Sequence, residues 1–97
     1  MRIRWLTEAL ADMQAIKGYI AEQNPVAAQQ VIASIRRDVI SLTDQPNIGR
    51  IGRLPETRKL VINQYPYIVA YREQRDEVHI LAGVHTSRRW PKTLAQE

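Results

Sequence analysis

No cysteine occurs among the 97 residues, so neither a disulfide framework nor a thiolate metal site can be built. A cysteine-free chain suits the reducing cytoplasm. No apolar run approaches the ~20 residues that span a bilayer, and the start, Met1 to Leu10, lacks the apolar stretch of a signal peptide. No membrane partner is therefore expected. Internal repeats and low-complexity tracts are also missing. The run Gly49-Arg50-Ile51-Gly52-Arg53 lacks the spacing of a Walker or dinucleotide loop. Only two histidines are present, His79 and His85. On one extended strand they share a face but lie about 20 Å apart, too far to hold one ion. No metal and no cofactor is expected.

What is present fits one small domain, residues 1–97. A chain of this size buries roughly 60–70% of the surface that its unfolded form exposes, enough for a single core. The hydrophobic fraction of 44% is that of a globular protein. The net charge of +4 is modest but unevenly placed. Residues 1–6 carry a net +2, residues 7–44 a net −2 and residues 45–97 a net +4. Such a distribution suits either an acidic partner, protein or nucleic acid, or a merely solvated surface.

The pattern predicts an α+β domain. Arg2 to Leu6 alternates as a first strand. Thr7 is placed to cap a helix whose stripe is Ala9, Met13, Ile16 and Ile20, with Glu8 and Asp12 near its positive end. Asn24-Pro25 ends that helix and starts another, Asn24 as cap and Pro25 in the first helical position. Ala28, Val31, Ile35, Val39 and Leu42 form its stripe, so the two helices make an antiparallel hairpin. Gln45 to Glu56, with two Pro and two Gly, reads as a loop. Three strand-like runs follow: Arg58 to Ile62, Tyr67 to Arg72 and Val78 to Val84. They predict a three-stranded antiparallel meander packed on the helices. The tail, about 92–97, is expected to fray.

Strand alternation groups Arg58 with Leu60 and Ile62, and Ile68 and Ala70 with Arg72. Antiparallel pairing then brings Arg58 near Arg72. Two adjacent guanidiniums invite a bridging phosphate or carboxylate, or else neutralisation by Glu56, Glu73 or Asp76. His85, at the end of its strand, is the titratable group best suited to acid–base work. With Arg58 and Arg72 it could form a small ribonuclease site, a base at the 2′-hydroxyl and cations at the phosphorane. Its alternative role is to order the strand end. Arg50 and Arg53 place a basic loop nearby, and Arg88, Arg89 and Trp90 follow the last strand. Tyr65, Tyr67 and Tyr71 suit core packing better than base stacking.

Thr57-Arg58, Leu60-Val61, Pro66-Tyr67, Val69-Ala70-Tyr71-Arg72, Ile80-Leu81, His85 and Trp90-Pro91 together form a pattern that resembles the RelE/ParE family of bacterial type II toxins. The resemblance covers nearly the whole chain. It implies the toxin half of a toxin–antitoxin pair, acting in growth arrest. It also implies a small antitoxin of the ParD or RelB kind, whose acidic C-terminal segment folds onto the toxin and whose complex contacts operator DNA through the antitoxin. His85 is followed by Thr86 rather than an aromatic residue, and Arg88-Arg89-Trp90-Pro91 is similar to the end of the ParE branch, whose members poison DNA gyrase. That branch implies a binding protein, with Arg50, Arg53, Arg58, Arg72, Arg88, Arg89 and Trp90 facing target or antitoxin. The RelE branch implies instead a ribosome-dependent mRNA endonuclease using His85, Arg58 and Arg72.

Overall fold

The computed structural model describes residues 1–87; Arg88, Arg89, Trp90 and the tail expected to fray lie outside them. The element order is β1 (Arg2–Trp5), α1 (Thr7–Ala21), α2 (Pro25–Ile40), a 3₁₀ turn (Ser41–Thr43), β2 (Arg50–Ile51), β3 (Arg58–Val61), β4 (Tyr67–Gln74) and β5 (Glu77–His85). The five strands form one sheet in the order β1-β5-β4-β3-β2. β1 lies parallel to β5, and the other neighbours are antiparallel. The α+β architecture expected from the pattern is the one observed, with β2 as an additional edge strand.

The helix hairpin forms as its stripes require. Asn24 Oδ1 accepts from Ala27 N–H at 3.0 Å and Pro25 occupies the first turn of α2. Thr7, however, is the first helical residue, and Leu6 holds the cap position without a side-chain bond. Leu6 N–H donates to Ile80 C=O at 3.0 Å, and its side chain is buried. Sheet pairing and burial therefore outweigh the capping preference of a hydroxyl.

One sheet face packs on the helices. Ala9, Met13, Val31, Ile35 and Val39 meet Leu60, Ile62, Tyr67, Val69, Tyr71, Val78 and Ile80 in the main core. The opposite, outer face carries a second cluster of Leu6, Ala70, Leu81 and Ala82, with Leu54 against it. Alternation along β4 sends Tyr67, Val69 and Tyr71 to the helix face and Ile68, Ala70 and Arg72 to the outer face.

β5 breaks its own alternation. Ala70 pairs with Ala82 but Tyr71 pairs with Ile80, so Leu81 is an extra residue, a bulge. Its consequence is large. His79 pairs with Arg72 on the outer face, whereas His85 pairs with Tyr67 on the helix face. The two histidines, expected on one face, lie on opposite faces. Among the described residues no helix is long and apolar enough to cross a membrane, and no group of three or more His, Asp or Glu could hold a metal ion.

Candidate functional site

The register of β3 on β4 decides where the arginines go. Arg58 pairs with Tyr71, not with Arg72. A one-residue difference in register moves a side chain to the other face, so Arg58 and Arg72 lie on opposite sides of the sheet. The adjacent guanidinium pair expected from the hairpin does not form. Arg58 instead donates from Nη1 to Gly49 C=O at 2.9 Å and Asn47 C=O at 3.3 Å. Tyr71 completes that clamp. Its hydroxyl accepts from Gly49 N–H and donates to Pro46 C=O, both at 2.8 Å. Burial pushes the Tyr71 phenol above its ordinary 10.0, against the Gly49 bond and the Arg58 charge, which pull it down. The clamp draws Arg50–Ile51 onto β3 as β2 and leaves Arg50 and Arg53 exposed.

His85 lines a recess of about 300 Å³ with Asp12, Ile16, Tyr19, Tyr67 and Ser87. Its ring meets Tyr67 edge-on, with centroids 5.2 Å apart. Asp12 Oδ2 accepts from Gly83 N–H at 3.0 Å, tying α1 to β5. Ser87 N–H donates to His85 Nδ1 at 3.1 Å, and Ser87 Oγ lies 2.7 Å from the same atom. A nitrogen that accepts a backbone N–H carries no proton, so the neutral ring holds its proton on Nε2. In that tautomer Nε2 is a donor, and the lone pair on Nδ1 that a general base would use is engaged by Ser87.

The outer face gathers cations from four strands. By register Arg2 and Arg4 of β1, Arg72 of β4, Lys59 of β3 and Arg50 of β2 all project there. Glu77 is the carboxylate among them on β5; it accepts from His79 Nε2 at 3.0 Å. That hydrogen bond, followed by the charges of His79, Arg4 and Arg2, holds the Glu77 carboxyl below the ordinary 4.5. His79 is buried at 6% exposure. Neither Arg4 nor His79 stood out in the sequence, because the parallel pairing of β1 with β5 leaves no local signal.

A third feature is apolar. Ile3, Trp5, Leu10, Met13, Val39 and Ile40 line a groove of about 320 Å³ between β1 and the helix hairpin, with Arg36 at its rim. Leu10 is 48% and Ile40 62% exposed. Large apolar side chains at a groove rim, beside a cation, suit an amphipathic helix carrying acidic residues.

The family model described as the ParE toxin of type II toxin–antitoxin systems, parDE, matches residues 3–90. The Y4kP protein of Sinorhizobium fredii, named as a candidate toxin, is 43% identical over 93 residues, which are 96% of each chain. Toxin RelE2 of Caulobacter vibrioides is 33% identical over 87 residues, covering 90% of this chain and 97% of that one. Among solved structures, a chain of the chromosomal ParDE system of P. aeruginosa superposes with a TM-score of 0.80 at 26% identity, covering 90% of this chain and 97% of that one. The isolated E. coli RelE toxin shares the fold, with a TM-score of 0.62 at 12% identity over 91% of this chain and 86% of its own.

Proposed function

Because the chain belongs to the ParE toxin family of type II toxin–antitoxin systems, we propose that it arrests growth in the cytoplasm by inhibiting DNA gyrase as a binding protein without chemistry of its own. Its partner in the resting state is a cognate antitoxin of the ParD or RelB kind. The apolar groove beside Leu10 and Ile40 takes the amphipathic part of that antitoxin. Arg36, the exposed arginines Arg50 and Arg53, and the half-buried Arg72 meet its acidic residues. Operator DNA is contacted through the antitoxin.

The observation that favours binding over cleavage is the state of His85. Its Nδ1 accepts from Ser87 N–H, and it opens on the helix face. Arg72 projects from the outer face, and Arg58 is committed to Asn47 and Gly49. A ribonuclease needs its base, acid and phosphate ligand within reach of one scissile phosphate. These three residues are dispersed over the two sides of the sheet.

The test is DNA supercoiling by purified gyrase with this protein added, with and without antitoxin. Inhibition with accumulation of cleaved DNA, relieved by antitoxin, is the expected result. Undisturbed supercoiling at stoichiometric excess of folded, toxic protein would replace this reading with ribosome-dependent mRNA cleavage.

A further inference from the structure

β5 has a strand on both sides only over its first half. β1 accompanies it from Glu77 to Ile80, and among the described residues no strand lies on that edge beside Leu81 to His85. α1 covers the gap in part. Asp12, Ile16 and Tyr19 recur at helical spacing and face the end of β5. Between helix and strand lies the recess of about 300 Å³ into which His85 opens.

The floor of that recess is bare. Gly83 sits on the helix face, as the partner of Val69, and brings no side chain to fill it. A Cβ at this position would meet only Ile16 Cδ1, at 3.9 Å. A glycine inside a strand is one mark of a site that another group approaches closely. Tyr19, on the same helical stripe as Ile16, is 72% exposed. So large an aromatic surface beside a recess is contact area without a cover. The rim is acidic. Asp12 holds the Gly83 N–H and has no cationic partner among the described residues.

The chain itself supplies an occupant. Ser87 lines the recess. Its N–H and hydroxyl both reach back to His85 Nδ1, so the backbone leaves β5 on the side where the His85 ring lies. Three residues on comes Trp90, the one aromatic residue after Ser87. That distance is at most about 10 Å of chain. The family match runs to residue 90, which makes Trp90 part of the domain. Arg88 and Arg89 precede it, and their charge complements Asp12.

We propose that Trp90 docks into the recess of its own chain, over Gly83 and against Ile16, Tyr19 and Tyr67, with Arg88 and Arg89 held at the acidic rim. Trp90 is then an inward anchor, not a contact for target or antitoxin, and it closes the approach to His85. This placement stands whether gyrase or the ribosome is the target.

The test is NMR of the full chain labelled with ¹³C and ¹⁵N. The Trp90 indole is expected to show NOEs to the Ile16 δ1 methyl and to the Tyr19 and Tyr67 rings. The ring should shift that methyl upfield, and Trp90→Ala should abolish the shift. Tyr19→Ala, at an exposed position, should keep the fold and weaken the NOEs between Trp90 and Ile16. If Trp90→Ala fails to fold, the NOEs of the unaltered chain decide alone. A Trp90 indole without NOEs to these side chains overturns the proposal. So do NOEs from Trp90 to Leu10 and Ile40 in the apolar groove, or to Val61 and Ile68 on the outer face. NOEs found only between a labelled and an unlabelled chain in a mixed sample would give the recess to a second copy, and would overturn docking within one chain.

Discussion

Arg58 and Tyr71 face each other across β3 and β4, and both bind the backbone of one short segment, Pro46 to Gly49. Between them they satisfy three carbonyls and one N–H that would otherwise compete for water. The loop is therefore held by side chains of the sheet rather than by its own sequence. Tyr71→Phe removes both hydroxyl bonds and leaves Gly49 N–H buried. A loss of about 1–3 kcal/mol is expected in urea unfolding, and an unchanged midpoint would contradict the clamp.

Gly49 is required by close approach. A Cβ at this position would sit 2.6 Å from the Tyr71 hydroxyl and 2.8 Å from Lys59 C=O. Neither neighbour can withdraw, since one is buried in the core and the other is sheet backbone. Gly49→Ala should destabilise by about 1–3 kcal/mol and free the loop, measurable as faster amide exchange at Arg50 and Ile51.

The Tyr71 phenol also predicts a pH dependence. Its pKa is raised in the folded state, so the folded chain holds the proton more tightly than the unfolded chain. The corresponding stability is complete below the ordinary value of 10.0 and is lost as pH rises through the folded value. Glu77 works at the other end. Its folded value is lowered, so its contribution is present above the ordinary 4.5 and is lost as pH falls through the folded value. Denaturation followed against pH should show both arms. Tyr71→Phe should flatten the alkaline arm, and Glu77→Gln part of the acid arm.

His85→Gln separates the two possible activities. If the protein acts by binding, growth arrest on expression should persist. Stability should fall by about 0.5–1.5 kcal/mol from the lost edge contact with Tyr67. Abolished arrest in a variant shown to be folded would point to chemistry at His85.

Leu10→Asp and Ile40→Asp probe the apolar groove. Both positions are exposed, so folding should change by no more than about 0.5 kcal/mol. Antitoxin binding should weaken by about 10–100-fold, read by calorimetry on the purified pair. Equal affinity would place the antitoxin elsewhere.

The helices and four of the five strands were legible because each carries its period in consecutive residues. Asn24-Pro25 announces the second helix by a local bond, and that bond forms. Three features were not legible, each for its own reason. β2 is two residues long and has no alternation; Tyr71 and Arg58, distant in sequence, create it. The pairing of Arg58 depends on the length of the turn through Tyr65 and Pro66, and one residue of register changes its face. The bulge at Leu81 leaves a uniform apolar run, Ile80-Leu81-Ala82, that reads equally well without it. That bulge separates the histidines and places His79, rather than Ile80, opposite Arg72.

The pairing of β1 with β5 has a consequence for synthesis. Arg2–Trp5 waits for Glu77–Ile80, and Val78 and Ile80 are at the centre of the core. Such distant pairing is slow to form and has no local substitute. A nascent chain shorter than about eighty residues therefore lacks a complete β5, the strand that joins β1 to the rest of the sheet, and has no finished surface to present. The fold is thus completed as a whole, once β5 has left the ribosome.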